Sequence, residues 1–283
     1  MKKKILLPII ILSIVSYGAL ALFSDGLILP RWEIVVAFCI MTFFGYFIKS
    51  YRWKMLLSHY GMEISLLEAI KTYVSGLVFI ITPAKAGEVI KVELMKKRHG
   101  FSRKKIGFLT LSERAFDVVA HLIIAGATGI FVANHFMRSI WLVAALFLAG
   151  VLGLYTFKHK LSFVAEELEA IKDMKLIIFT TLVSIASWLV EALQVYLAVL
   201  YFGGHITLVQ ALFAFSASLI LGNITMLPGG LGAAEASMAG MLAVYGLSNS
   251  IATSTTMLIR FTTLWFGFLI GAAFWHLSYH EKI

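Results

Sequence analysis

Long apolar stretches alternate with short polar ones along most of the chain. At 1.5 Å of rise per residue, about 20 apolar residues in a helix cross the roughly 30 Å hydrocarbon core of a bilayer. A helix also satisfies its backbone hydrogen bonds within the span. The pattern predicts an all-α polytopic membrane protein with six transmembrane helices, at 5–23, 32–48, 106–132, 139–157, 176–202 and 253–276.

The first of these stretches also fits a secretory signal, because a basic head precedes it and Ala19, Leu20 and Ala21 fit a cleavage site. It is nevertheless long enough to span a bilayer, and the internal duplication described below requires it as a retained helix. We therefore interpret it as the first transmembrane helix.

Two further apolar segments, about 66–95 and 207–246, are each interrupted near the middle. The interruption is a proline followed four residues later by a glycine: Pro83 and Gly87 in the first segment, Pro228 and Gly232 in the second. Proline removes a backbone donor and disfavours one continuous helix. Broken segments are tolerated at membrane depth where protein or a polar cavity satisfies the freed backbone groups. We therefore predict two re-entrant helical hairpins.

The distribution of basic residues predicts the orientation of the chain. Twelve of the 24 lysines and arginines fall within 49–105, three at the amino terminus and four within 158–175. Basic residues favour the cytoplasmic side, which places both termini in the cytoplasm. The first hairpin then enters from the cytoplasm. The second enters from outside, because 203–252 contains no lysine or arginine.

Matching spacings predict an internal duplication with a period of about 145 residues. Arg114 follows Pro83 by 31 residues, and Arg260 follows Pro228 by 32. The predicted units are 1–135 and 136–283, each with three spans and one hairpin. An odd number of spans inverts the second unit relative to the first, which gives an inverted repeat with opposed hairpins, as in many secondary transporters.

The composition agrees with a membrane protein, with 60% apolar residues, 14% charged residues and a mean hydropathy of +0.90. The net charge of +9 comes from residues between the spans, so it indicates a cytoplasmic membrane surface and no nucleic acid. A single cysteine, Cys39, excludes an internal disulfide. We find no nucleotide-binding loop and no metal-binding motif, so no cofactor or metal is predicted.

Two arginines lie within predicted spans. Arg114 and Arg260 stand about eight residues inside their helices, thus roughly 12 Å deep. A charge at that depth costs about 2.5–3.5 kcal/mol and usually faces a cavity or a partner. Guanidinium groups donate paired hydrogen bonds that suit a phosphate. The alternative is structural ion pairing, of Arg114 with Asp117 and of Arg260 with Glu235.

The helix starts after the two breaks are further candidates, because free backbone N–H groups attract anions. The residues predicted to contact a phosphate there are Lys85, Gly87, Gly229, Gly230 and Gly232. The predicted coupling or charge-pairing acids are Glu88, Glu113, Asp117 and Glu235. Two of them, Glu88 and Glu235, could instead only complement the helix starts. Arg52, near the end of the second span, is interpreted as a residue that snorkels to the interface.

Three motifs and one arginine together resemble a known family. They are a Pro-x-basic-x-Gly-Glu run from Pro83 to Glu88, a Glu-Arg-x-x-Asp set from Glu113 to Asp117, a Leu-Pro-Gly-Gly-x-Gly-x-x-Glu run from Leu227 to Glu235, and Arg260 in the following helix. Over nearly the whole chain, the sequence resembles the transmembrane, flippase-like domain family of lysylphosphatidylglycerol synthases. Two-domain members add a soluble aminoacyltransferase, and we expect a stand-alone member without it.

The resemblance implies a lipid translocase of the cell membrane. We expect it to move an anionic phospholipid, glycolipid or polyprenyl-phosphate headgroup through a central polar cleft. Membrane lipids are the expected partners, together with lipid-modifying enzymes or glycosyltransferases. Two alternatives stay open: an integral-membrane lipid transferase, in which carboxylates act as bases, and a scaffold for glycosyltransferases.

Overall fold

The computed structural model describes residues 3–22, 24–82, 90–132 and 173–280, whose regular structure is helical. The α-helices are α1 (Lys3–Leu22), α2 (Trp32–His59), α3 (Leu66–Gly76), α4 (Ile90–His99), α5 (Arg103–Val132), α6 (Met174–Tyr201), α7 (Leu208–Ile224), α8 (Ala233–Val244), α9 (Asn249–Arg260) and α10 (Phe266–His280). Short 3₁₀ turns form at Leu77–Phe79 and Pro228–Gly230, and a π-helical turn at Phe261–Trp265 joins α9 to α10.

Four helical runs are long and apolar enough to cross a bilayer: α2, α5, α6 and the run Asn249–Ser278 made by α9 and α10. They coincide with four of the six predicted spans, and α1 lies at a fifth. The sixth, 139–157, lies outside the described residues. The prediction of an all-α, multi-pass membrane protein is confirmed, whereas the count of six spans stays a prediction.

One predicted boundary was wrong. Helix α2 continues beyond residue 48 to His59, because the apolar and small residues that contact the core recur at helical spacing through its polar end. The stripe includes Tyr46, Trp53 and Leu56, all buried. The extension carries Arg52 into the bundle, so this residue is not interfacial as predicted.

Both interrupted segments contain broken helices. In the second, α7 ends at Ile224, and α8 begins only at Ala233, after the 3₁₀ turn at Pro228–Gly230. Gly229, Gly230 and Gly232 have φ angles of 61°, 68° and 85°, which side chains other than glycine rarely adopt. In the first segment, 83–89 lies outside the described residues. Entry of these segments from opposite membrane faces stays a prediction, as does the inverted repeat.

Helix α7 lies at the centre of the larger apolar core and packs against α5, α6 and α8. Small residues such as Ala211 and Ala214, both fully buried, allow this close approach. Helix α3 packs between α2 and α10, where a Cβ on Gly271 would collide with the backbone of Leu77 and Val78. These close contacts fix α5, α6 and α7 around the buried charges described next.

Candidate functional site

A cavity of about 220 Å³ lies inside the bundle and is lined from both predicted repeats. Helices α2, α3 and α5 contribute from the first repeat, and α6, α7, the Pro228–Gly230 turn and α9 contribute from the second. Its polar and charged lining residues are Tyr46, Lys49, Tyr73, Arg114, Asp117, His121, Trp188, Glu191, Asn223, Arg260 and Thr263. Asn223 is exposed, so the cavity reaches the surface near the end of α7.

The two arginines singled out in the sequence line this same cavity, although 146 residues separate them. Arg260 ends α9, and its side chain is only 5% exposed. Its Nε donates to Oε1 of Glu235 at 2.6 Å, and Nη2 donates to the carbonyl oxygen of Gly229 at 2.6 Å. The second interrupted segment therefore positions this guanidinium at the cavity wall.

Glu235 serves two partners at once. Its Oε1 accepts from Arg260, and its Oε2 accepts from the backbone N–H of Gly232 at 2.7 Å. Glu235 thus caps the start of α8, as the structural alternative expected. The Glu235 carboxylate thus binds the Gly232 N–H, a group that we predicted to contact a phosphate. Neither Gly230 nor Gly232 lines the cavity.

Arg114 reaches the cavity from α5, with 21% of its side chain exposed. Its Nη1 lies 3.1 Å from Oδ2 of Asp117, one helical turn further along. Oδ1 of Asp117 accepts from Nη1 of Arg52 at 2.7 Å and from the indole N–H of Trp188 at 3.1 Å. Asp117 is therefore shared between two guanidinium groups, those of Arg52 and Arg114.

Glu113, one helical turn before Asp117 on α5, is likewise shared between two cations. Its Oε2 accepts from Nζ of Lys91 at 2.8 Å, and its Oε1 lies 3.4 Å from Nη2 of Arg52. Both Glu113 and Arg52 are fully buried, and Lys91 is 1% exposed. These contacts connect α4, α5 and α2, and Nη1 of Arg52 also donates to Oγ of Ser184 on α6 at 2.5 Å.

A separate ion pair lies on the cavity wall between α2 and α6. Nζ of Lys49 donates to Oε1 of Glu191 at 2.6 Å and lies 3.2 Å from the centre of the Trp188 ring. A cation over an indole face is stabilised by the ring quadrupole. This pair contributes no net charge to the cavity.

Nine charged side chains of the described residues lie at and behind the cavity. Five are cations and four are carboxylates: Lys49, Arg52, Lys91, Arg114 and Arg260, with Glu113, Asp117, Glu191 and Glu235. In the part of the chain that the structure describes, no group of three or more metal-ligating side chains could hold an ion.

Sequence reasoning brought some site residues forward and missed others. The predicted Arg114, Asp117, Arg260 and Gly229 line the cavity, with Glu113 and Glu235 directly behind it. The predicted residues Pro83, Lys85, Gly87 and Glu88 lie outside the described residues. The residues it passed over are Lys49 and Lys91. Lys49 had a usable signal, because it falls three residues after Tyr46 on the same face of α2.

The family model described as the lysylphosphatidylglycerol synthase TM region matches residues 5–271. The chain belongs to this family. The resemblance stated from the motifs is thereby confirmed, and the chain is a multi-pass membrane protein of the lysylphosphatidylglycerol synthase TM-region family.

Several archaeal relatives are similar to this member of the lysylphosphatidylglycerol synthase TM-region family. A UPF0104 membrane protein of Pyrococcus horikoshii is 25% identical over 84% of this chain and 83% of its own length. One from Methanocaldococcus jannaschii is 27% identical over 70% of this chain and 92% of its own length. One from Methanothermobacter thermautotrophicus is 33% identical over 93 residues, only 28% of that protein. No solved structure matches.

Proposed function

We propose that this protein moves lipids with an anionic headgroup between the leaflets of the cell membrane, and that the headgroup binds in the cavity lined by Arg114 and Arg260. The observation that carries the proposal is the convergence of these two arginines on one cavity inside an apolar bundle. Buried guanidinium groups are costly in a membrane, and they suit phosphate oxygens because their planar forks donate paired hydrogen bonds.

The walls of the cavity fit a molecule with a polar head and apolar tails. Leu77, Ile80, Leu219 and Leu264 line it beside the charged groups, and the exposed Asn223 marks its opening. The headgroup would occupy the charged interior while the acyl or prenyl chains stay in the bilayer. The distribution of lysine and arginine supports an orientation with both termini in the cytoplasm.

A lipid-modifying transferase is the weaker candidate. It would need a carboxylate able to accept a proton, and Asp117, which lines the cavity, already accepts from Arg52 and Trp188 and pairs with Arg114. A proton on this carboxylate would have to displace one of these contacts. A scaffold for glycosyltransferases would not require charged residues inside the bundle.

The proposal is tested with purified protein in vesicles that contain either tail-labelled phosphatidylglycerol or tail-labelled phosphatidylcholine. A membrane-impermeant quencher reports the leaflet of the label, and mass spectrometry of the same lipids reports chemical modification. We expect movement of the anionic lipid, unmodified, and loss of movement in Arg114→Gln and Arg260→Gln. Arg31→Gln, on an exposed residue, is the matched control.

Three outcomes would contradict the proposal. If no anionic lipid moves under either a pH gradient or a membrane potential, the protein is not a lipid transporter. A modified lipid would favour the transferase. Equal movement in the wild type and in both cavity variants would place the translocation path elsewhere.

A further inference from the structure

We infer that Tyr73 is a headgroup-binding residue of this cavity, and that its hydroxyl donates a hydrogen bond to the phosphate that Arg114 binds. Tyr73 lies on α3 and lines the cavity. The inference rests on the proposed function and deepens it, because it adds a neutral hydrogen-bond donor to a phosphate site built so far from arginines.

Of the described residues, two tyrosines line the cavity, and their hydroxyl groups differ in what they contact. The Tyr46 hydroxyl donates to the carbonyl oxygen of Thr263 at 2.8 Å, so this side chain joins α2 to the π-helical turn. Tyr73 is buried to the same degree, at 2% exposure against 3% for Tyr46. Its hydroxyl, however, forms no hydrogen bond with any residue that the structure describes. Buried hydroxyl groups are normally hydrogen-bonded, so this one is suited to a bound ligand.

The neighbours of Tyr73 leave its hydroxyl available. Nζ of Lys91 lies 4.5 Å from the centre of the Tyr73 ring, so this cation contacts the ring. Arg114 and Asp117 lie close enough to interact electrostatically with the hydroxyl. The Asp117 carboxylate nevertheless accepts its hydrogen bonds from other side chains. The Tyr73 hydroxyl therefore lies in the field of a guanidinium group without being used by the nearby carboxylate.

A phosphate oxygen is the ligand atom that suits both Tyr73 and Arg114. A guanidinium group only donates hydrogen bonds, so a ligand beside Arg114 must present acceptors, and anionic oxygens are the strongest of these. A phenolic hydroxyl can donate to the same phosphate. Unlike a further cation, it adds no charge that would need compensation inside the bundle when no lipid is bound.

The test removes this hydroxyl alone. Tyr73→Phe keeps the aromatic ring and its packing, and binding is measured with the purified protein in detergent. We expect the affinity for tail-labelled phosphatidylglycerol to fall by roughly tenfold to a hundredfold, the effect of one hydrogen bond to a charged group. The Tm should not fall, because the hydroxyl forms no hydrogen bond within the described part of the chain.

Two other tyrosines provide matched controls. The Tyr245 hydroxyl also has no hydrogen-bond partner among the described residues, but Tyr245 does not line the cavity. Tyr245→Phe should therefore leave the affinity unchanged. Tyr46→Phe loses the hydrogen bond to Thr263 and should lower the Tm, which gives the signature of a structural hydroxyl in the same cavity.

A second lipid distinguishes the phosphate from the rest of the headgroup. Tail-labelled phosphatidylmethanol has the same phosphodiester as phosphatidylglycerol but none of the glycerol hydroxyl groups. If Tyr73 donates to the phosphate, Tyr73→Phe should weaken the binding of both lipids by the same factor. A loss confined to phosphatidylglycerol would assign the hydroxyl to the glycerol and would overturn the inference.

Two further results would overturn the inference. One is wild-type affinity for phosphatidylglycerol in Tyr73→Phe together with reduced affinity in Arg114→Gln, which would leave the proposed function intact. The other is a fall in the Tm of Tyr73→Phe as large as that of Tyr46→Phe, because the hydroxyl would then have a structural role. Failure of the wild type to bind either lipid would instead overturn the proposed function itself.

Discussion

Replacing Arg260 and Glu235 singly and together separates the structural role of this pair from its role in headgroup binding. Glu235 is fully buried, and the Arg260 side chain is 5% exposed. Removal of one member of a buried ion pair leaves an uncompensated charge, which costs about 3–5 kcal/mol. Removal of both members leaves no uncompensated charge.

The expected shift in Tm is large enough to measure in detergent. At roughly 2–4 °C per kcal/mol for a chain of this size, Arg260→Ala or Glu235→Gln should lower the Tm by roughly 6–20 °C. Glu235→Gln also weakens the cap on the Gly232 N–H, because one carboxylate oxygen is replaced by an NH₂ donor. The double variant Arg260→Ala/Glu235→Gln should regain most of the stability.

In these variants, we expect the rate of lipid movement to change independently of the Tm. The double variant lacks the guanidinium at the cavity, so we expect it to stay inactive although it folds. Arg260→Lys keeps the charge but replaces five donors in a planar fork by three on one nitrogen, so donation to Glu235 and the Gly229 carbonyl leaves no pair of donors for a phosphate. It should insert in the membrane and move lipid more slowly than the wild type.

The control is the exposed pair Arg31–Glu33, whose side chains are 76% and 42% exposed. Exposed pairs contribute about 0–1 kcal/mol, so Arg31→Ala should change neither the Tm nor lipid movement appreciably. Wild-type movement in the Arg260→Ala/Glu235→Gln variant would refute the assignment of Arg260 to headgroup binding. A double variant no more stable than Arg260→Ala would refute the treatment of the pair as an isolated ion pair.

Three further predictions follow from the helix packing. Arg52→Ala should lower the free energy of unfolding by about 3 kcal/mol or more, whereas Lys54→Ala, partly exposed on the same helix, should not; equal Tm values would contradict the burial of Arg52. Gly271→Ala should destabilise the protein by about 1–3 kcal/mol, because its Cβ meets the backbone of Leu77 and Val78. Gly126→Ala, with open space around it, should not, and chemical denaturation checks both. A cysteine at Leu227 should react with an impermeant maleimide from outside the cell; labelling only from the cytoplasm would contradict the predicted orientation of the second hairpin.

The sequence alone predicted those site residues that are unfavourable in a membrane-spanning helix. Arg114 and Arg260 stood out because charge inside a span is costly, and Pro228 because it interrupts an apolar run. Both signals are local, so they can be read without knowing which helices touch. Their meeting in one cavity depends on the packing of α6 against both α5 and α9, which the sequence pattern does not specify.

Arg52 shows why the other buried charges could not be predicted from the sequence. A cation near the end of an apolar stretch usually reaches the interface, and hydropathy placed the end of that span at residue 48. The buried stripe of α2 continues beyond this point, and the carboxylates that make burial of Arg52 tolerable lie on α5. The linked ion pairs connect residues on α4, α5 and α2, so no single periodic pattern along the sequence reveals them; their members are Lys91, Glu113, Arg52, Asp117 and Arg114.

The claim that the headgroup passes through this cavity is tested most directly by filling the cavity in a working protein. In a Cys39→Ala background, a cysteine at Leu219 lines the cavity, and one at Leu221 on the same helix is exposed outside it. Both variants are placed in vesicles with tail-labelled phosphatidylglycerol, and lipid movement is measured before and after reaction with a bulky uncharged maleimide. We predict that modification stops movement in Leu219→Cys and leaves it unchanged in Leu221→Cys. Undiminished movement with Leu219→Cys fully modified would contradict the account.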